Sequence, residues 1–192
     1  MAEGERAMSE AAYARRIEDH YAMSWSSPIA AIRWDEGPAH ELPADFRVLL
    51  MMPSSERAAY GTICMSQPGD ADALELHLFC RPQETELTHA PEILTTVAHY
   101  HRNGSTLGLG HSVNFGKPWV PGSSCTHGLL SLPYLDGPTL EWLESPRVRF
   151  LWLIPVTPAE VAFKKEHGLE ALEQRFEEEQ FNYLDPFRRS VV

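Results

Sequence analysis

The strongest constraint on the fold is the apolar run VRFLWLI at residues 148–154, which Pro155 follows. A short run of branched and aromatic side chains bounded by proline is typical of a strand, and we expect this strand to stop at Pro155. Directly after it, Thr157-Pro158-Ala159-Glu160 forms a capping box with proline at the first helical position. The box predicts a helix that runs to His167 and that Gly168 ends. The chain therefore contains a strand that leads directly into a helix.

Three further helices are predicted from caps and apolar spacing. Ser9 caps a helix over 10–24 with one apolar stripe, formed by Tyr13, Ile17, Tyr21 and Trp25. Pro91 opens a helix over 92–102, which Asn103-Gly104 closes. The last helix, over 169–180, carries Leu169, Leu172 and Phe176 inward and has a solvated acidic face at 177–179.

Apolar and alternating runs predict strands over 29–34, 46–52, 60–65 and 74–80. In the last of these, three leucines face one way, so we expect Glu75 and His77 on a solvated face. The stretch GHSVNFGKPWVPGSSCTHGLLSLPY at 110–134 predicts a strand over 111–115, a Pro-Gly turn and a second strand through Leu132. We expect the C-terminal tail, NYLDPFRRSVV, to dock as an edge strand.

Strands thus occur both in hairpin-like succession and after helices. This order favours an α/β (α+β) domain with a mixed β-sheet flanked by helices. A length of 192 residues, without an internal repeat or a linker, fits one domain. We therefore predict a disordered tail at residues 1–8 and a single domain over 9–192.

The charge balance restricts the possible partners. The net charge is −11 at pH 7, whereas nucleic acids and anionic membranes are bound by clustered Lys and Arg, so neither is expected as a partner. The three cysteines, Cys64, Cys80 and Cys125, form neither a disulfide framework nor a CxxC metal signature. No apolar run resembles a signal peptide or reaches the length of a membrane helix. We therefore expect a cytoplasmic protein.

Residues 110–134 also place nucleophiles beside histidines, which raises the question of catalysis. Cys125 and His127 share a face if the segment is a strand, so a small hydrolase that uses this pair stays open as an alternative. However, Gly122-Ser123-Ser124-Cys125-Thr126 lacks the closing glycine of a G-x-S-x-G elbow. A turn with a buried cysteine explains the segment better, and we expect no catalytic residue.

A metal or nucleotide site is equally weakly supported. A metal site would have to combine His99, His101 and His111 with Cys125 and His127, but His99 and His101 point to nearly opposite faces of a helix. The glycines between 104 and 116 match no phosphate-binding pattern, and a helix precedes rather than follows them. We expect neither a metal nor a cofactor.

Several segments carry a resemblance to a known family. GTICMS at 61–66 with LELHLFC at 74–80 is similar to consecutive strands around a Thr-x-Gly-Met-Ser element. LGLGHSVNFGKPW at 107–119 is similar to a glycine loop that leads into a strand. LLSLP at 129–133, LWLIPVTPAEVAFKKEHGLE at 151–170 and the ending DPFRRSVV at 185–192 follow. In their order and spacing these segments resemble the suppressor-of-fused domain in its bacterial single-domain form, from about residue 13 to the end.

The resemblance implies a mixed sheet flanked by helices, without catalysis. Animal members bind a transcription factor by pairing a peptide strand between this domain and a second one, which we do not expect here. Bacterial members resemble immunity proteins that neutralise a cognate toxin. His111 stands where relatives keep an acid, His99 where they keep a tyrosine, and Cys64 replaces the glycine of Thr-x-Gly-Met-Ser. The peptide specificity of the animal members therefore does not carry over.

We accordingly expect a non-enzymatic protein-binding domain, an immunity protein that occludes a site on a basic toxin domain. Polar groups interleaved with an aromatic side chain suit protein recognition, although Trp119 suits the edge of a core equally well. The residues expected to bind the partner are His99, Leu107, His111, Asn114 and Trp119. The alternatives are a regulatory peptide-binding scaffold that acts by strand addition and the small hydrolase.

Overall fold

The computed structural model describes residues 8–34, 36–84 and 89–192. The predicted N-terminal tail, residues 1–8, lies outside this part of the chain except for Met8. Within it, no helix combines the length and the apolar character that crossing a membrane requires.

The described residues form five α-helices and eight strands. The helices are α1 Glu10–Ser24, α2 His89–Asn103, α3 Pro138–Glu141, α4 Pro158–His167 and α5 Leu169–Glu178. The strands are β1 Ala30–Ile32, β2 Arg47–Met51, β3 Ala58–Ile63, β4 Leu74–Cys80, β5 Ser112–Asn114, β6 His127–Ser131, β7 Trp142–Glu144 and β8 Arg147–Val156. The predicted bounds of α1 and β4 match these residue for residue.

The strands form one mixed sheet in the order β1-β2-β3-β4-β8-β6-β5. Neighbouring strands are antiparallel except β4 and β8, which run parallel. The short strand β7 pairs with the start of β8, whereas β6 pairs with its end. The predicted mixed sheet flanked by helices is therefore confirmed, and its two edges are β1 and β5.

Helices cover both faces of the sheet, and this corrects the prediction for β4. Leu74, Leu76 and Leu78 pack with α2 on one face, as the alternation predicts. The opposite face packs against α1, α4 and α5. The prediction that Glu75 and His77 face solvent is wrong, because both side chains are 0% exposed on this second covered face.

The end of β8 also differs from the prediction. The strand continues through Pro155 to Val156, where Gly128 and His127 of β6 pair with these two residues. The parallel pairing of β8 with β4 ends at Trp152, three residues before Pro155. Position 155 therefore tolerates proline, which has no backbone N–H group. The capping box is confirmed: Glu160 N donates to Thr157 Oγ1, and Thr157 N donates to Glu160 Oε2.

The C-terminal tail was predicted to form an edge strand, and this prediction is wrong. Residues 182–192 form turns and irregular backbone and pair with no strand of the sheet. The tail instead docks through the buried side chain of Arg188 beside α4. Its conformation is thus set by a tertiary contact rather than by a backbone ladder.

Candidate protein-binding site

Strands β5 and β6 form the framework of the segment at 110–134. They pair antiparallel, with Asn114 opposite His127 and Val113 opposite Gly128. Beyond β5 the two chains stay paired, because Phe115 N donates to the carbonyl oxygen of Thr126 at 2.9 Å. The predicted strand, turn and second strand are therefore confirmed, with the strands shorter than expected.

The geometry of Cys125 and His127 does not form a catalytic pair. The Cys125 side chain is 1% exposed, and burial raises the pKa of its thiol, whereas an activated nucleophile needs a lowered pKa. His127 Nδ1 lies 2.9 Å from Thr126 Oγ1 rather than near the thiol. Ser123 Oγ donates to the carbonyl oxygen of Pro186 and accepts from Cys125 N, so it holds the turn together.

His99 and His101 form hydrogen bonds with different parts of the chain. His99 Nε2 lies 2.7 Å from Glu41 Oε2, and this hydrogen bond lowers the pKa of Glu41. His101 Nδ1 accepts from Leu107 N at 3.0 Å, and burial lowers the pKa of its imidazole. Across residues 8–34, 36–84 and 89–192, no three His, Cys, Asp or Glu side chains lie together as metal ligands would.

The five residues expected to bind a partner occupy different environments. Leu107 and Trp119 are buried, at 6% and 3% exposure, and both belong to the core beneath α2. Trp119 thus covers the core, in line with the second interpretation of its sequence pattern. His99 is half-buried in its contact with Glu41, whereas His111 and Asn114 are exposed at the two ends of β5.

The outer edge of β5 is free of any strand in the described chain. His111 and Phe115, each two residues away from Val113, form backbone hydrogen bonds toward β6. Because these bonds alternate along an antiparallel strand, the N–H and C=O groups of Val113 also point toward β6. The backbone N–H and C=O groups of Ser112 and Asn114 consequently point outward. Such an edge can accept a further strand.

A cleft of about 490 Å³, here called the Arg147 cleft, begins beside His111. One wall is the β7–β8 hairpin, with Trp142, Arg147 and Arg149, and the other is made by residues 71–73 and the loop at 106–111. Its floor consists of Leu74, Leu107 and Leu151. Two of the predicted binding residues, Leu107 and His111, therefore line this cleft, which no sequence motif had indicated.

The Thr-x-Gly-Met-Ser-like element has a structural role around Glu75. Thr62 Oγ1 donates to Glu75 Oε2 at 2.6 Å, and the backbone N–H groups of Met65 and Ser66 donate to the same carboxyl group. Burial raises the pKa of Glu75 to about 7, although these hydrogen bonds oppose the shift. Cys64 keeps a left-handed φ of 61°, the conformation that a glycine would adopt freely. The element is thus a turn that binds the buried Glu75 carboxyl group.

Comparisons with known proteins agree on one family. The sequence model for "Suppressor of fused protein (SUFU)" matches residues 45–189. A Neisseria gonorrhoeae protein, named as a homologue of suppressor of fused, is 32% identical, with a TM-score of 0.80 over 94% of this chain and 97% of that chain. No curated protein has a matching sequence.

Two more distant structures show the same fold. A chain of the Sufu-Fu complex is 13% identical, with a TM-score of 0.67 over 93% of this chain and 92% of that chain. Drosophila Suppressor of Fused is 14% identical, with a TM-score of 0.54 over 74% of this chain and 39% of that chain.

Proposed function

Because the chain belongs to the suppressor of fused family, we propose that it is a non-enzymatic domain that binds another protein. The observation that carries the proposal is the free edge of β5, which leaves His111 and Asn114 exposed beside the Arg147 cleft. The Sufu-Fu complex supports it, since a chain of the same fold is part of a protein complex there. The buried Cys125 supports a non-enzymatic role.

The finer form of the proposal is an immunity protein that neutralises a cognate toxin in the cytoplasm. The protein would occlude the functional site of the toxin sterically or electrostatically. A net charge of −11 favours fast association with a partner of positive charge. Occlusion needs no reactive group on this chain, which agrees with the structural roles found for Ser123 and His127.

Site-specific photo-crosslinking in the native host tests protein binding. A photoreactive phenylalanine replaces His111, whose exposed side chain lies next to β5, and a matched variant carries it at the exposed Arg16 of α1. We expect one protein to be captured from position 111 and not from position 16. Absence of a position-specific adduct in repeated trials would contradict the proposal.

The captured protein then tests the immunity role. We expect its expression to stop growth of a naive host and co-expression of this chain to restore growth. A captured protein without toxicity would leave protein binding standing but would exclude the immunity role.

A regulatory scaffold that acts by strand addition is the second candidate, favoured by the outward backbone groups of Ser112 and Asn114. Ser112→Pro removes one outward N–H group while an edge position tolerates proline. We expect strand addition to be lost in Ser112→Pro and kept in Ser112→Ala. Equal capture by both variants would exclude this candidate and favour occlusion through side chains.

A further inference from the structure

We propose that the Arg147 cleft binds the carboxylate side chain of an extended acidic segment of the partner, an inference that rests on the proposed protein-binding function. Residues 147, 149 and 151 of β8 alternate onto one sheet face, so both arginines stand at the end of an apolar floor that starts at Leu151. The cleft therefore offers the partner an apolar floor that can contact an apolar side chain and, beside it, a cationic wall that can bind an acidic side chain.

Arg147 is the cation that is available to a ligand. Its guanidinium lies 4.7 Å from the centre of the Trp142 ring, and within the described chain it has no ion pair or hydrogen bond. Stacking on an aromatic face holds the planar group in place while its N–H groups stay free in the plane. A carboxylate fits this donor geometry in a bidentate manner.

Arg149 strengthens the same wall. Its Nε and Nη2 atoms both donate to Glu141 Oε1, at 3.1 and 2.8 Å, which fixes the guanidinium 5.2 Å from the Trp142 ring centre. The Nη1 group has no partner among the described residues. Both arginines thus lie over the Trp142 ring, and both line the cleft.

The opposite wall is anchored, so the cleft is preformed. Leu107 N donates to His101 Nδ1, and Gly110 N donates to the carbonyl oxygen of Leu130. Lys164 Nζ donates to the carbonyl oxygen of Gly110 from the far side of the loop. A preformed cleft spares a partner the entropic cost of ordering the loop.

Besides Glu141, which is ion-paired with Arg149, two carboxylates lie near the cleft and disfavour an acidic residue of the partner beside them. Asp72 lines the opposite wall, and Glu144 lies opposite Arg147 in the β7–β8 ladder without forming an ion pair. An acidic residue of the partner is therefore favoured beside Arg147 and disfavoured beside Asp72. The overall charge of −11 acts at longer range, on the encounter, whereas the arginines act at contact distance.

Nuclear magnetic resonance with defined peptides tests the proposal. The probe is a blocked Gly-Leu-Glu-Leu-Gly peptide, compared with versions that carry Gln or Lys in place of Glu. The signals followed are the Nε–H groups of Arg147 and Arg149 and the indole N–H of Trp142. The test variant is Arg147→Gln. The control is Arg16→Gln, which removes one exposed arginine on α1.

We expect saturable shifts with the Glu peptide, about tenfold weaker binding of the Gln peptide and a similar loss in Arg147→Gln. Arg16→Gln should bind like the unsubstituted protein. Equal affinity for the Glu and Gln peptides, unchanged binding by Arg147→Gln, or tighter binding of inorganic phosphate would overturn the inference. Capture of a protein from position 111 that Arg147→Gln leaves unaffected would also overturn it, while the proposed function would stand.

Discussion

Arg188 forms a buried bidentate ion pair with Glu160. Its Nη1 lies 2.6 Å from Oε1 and its Nη2 lies 2.8 Å from Oε2, with the two side chains 6% and 0% exposed. The same carboxylate accepts from Thr157 N, which completes the helix cap, and from Val191 N in the tail. One glutamate thus starts α4 and fastens the C-terminal tail.

Replacement of Arg188 by Met is expected to destabilise the protein by about 3–5 kcal/mol, because it leaves the Glu160 carboxylate buried without its cation. Urea unfolding followed by circular dichroism measures the change. The matched control is Arg189→Met, since the Arg189 side chain is exposed, and we expect little change there. Equal stability of the two variants would show that the pair does not hold the tail.

Position 64 is expected to favour glycine over alanine, since its φ is 61°. Cys64→Gly and Cys64→Ala both remove the buried thiol, and the buried methyl group and lower unfolded-state entropy of alanine favour the alanine variant, so a more stable glycine variant reports the backbone conformation. We expect the glycine variant to be more stable by about 1 kcal/mol, the cost of a left-handed conformation for a residue with a Cβ atom. An alanine variant of equal or greater stability would contradict the left-handed turn.

The raised pKa of Glu75 predicts a pH dependence of stability. Between its ordinary value of 4.5 and about 7, the folded state holds a proton that the unfolded state releases, so the free energy of unfolding falls as pH rises. Above about pH 7 the cost of ionisation is fully present, and below the ordinary value it is absent. Denaturant unfolding at a series of pH values measures this slope.

Subtracting the free energy of unfolding of Glu75→Gln from that of the unsubstituted protein at each pH separates the contribution of Glu75 from that of His77. Burial lowers the pKa of His77 to about 3, so this residue makes stability fall as pH drops below its ordinary 6.5. We expect the difference curve between unsubstituted protein and Glu75→Gln to slope downward from about pH 4.5 to 7. The control Glu170→Gln alters an exposed side chain on α5. A flat difference curve would mean that the pKa of Glu75 is the same in the folded and unfolded states.

Cys125 is expected to react slowly with iodoacetamide. Burial removes access and raises the pKa of the thiol, so alkylation of the folded protein should be at least ~100-fold slower than in urea. Mass spectrometry of the modified peptides gives the rates at all three cysteines. A fast reaction of Cys125 at neutral pH would revive the hydrolase that uses Cys125 and His127.

The sequence predicted correctly those helices whose capping residues and buried stripe lie within the helix itself or next to it. Ser9 caps α1, and Tyr13, Ile17 and Tyr21 form its buried stripe, as their spacing predicts. The capping box of α4 is likewise complete within four residues. In each case the atoms that fix the element lie within one or two turns of chain, so the sequence contains the whole interaction.

Contacts between residues that are far apart in the sequence could not be predicted from local patterns. Glu75 and His77 alternate with leucines as solvated residues do, but α1 and Trp25 cover the face on which they lie. The Glu75 carboxylate needs donors that lie about ten residues away in the preceding turn. Arg188 finds its partner 28 residues earlier in the chain. The Arg147 cleft combines three separate segments, and no single one of them shows that the three lie together.

Native mass spectrometry of this chain with the protein captured at position 111 tests the central claim most directly. A non-enzymatic binding domain predicts a stoichiometric complex that dissociates into two components of unchanged mass. The complex should persist when Cys125 is replaced by Ala. A partner that is cleaved or covalently altered at substoichiometric amounts of this chain would contradict the claim.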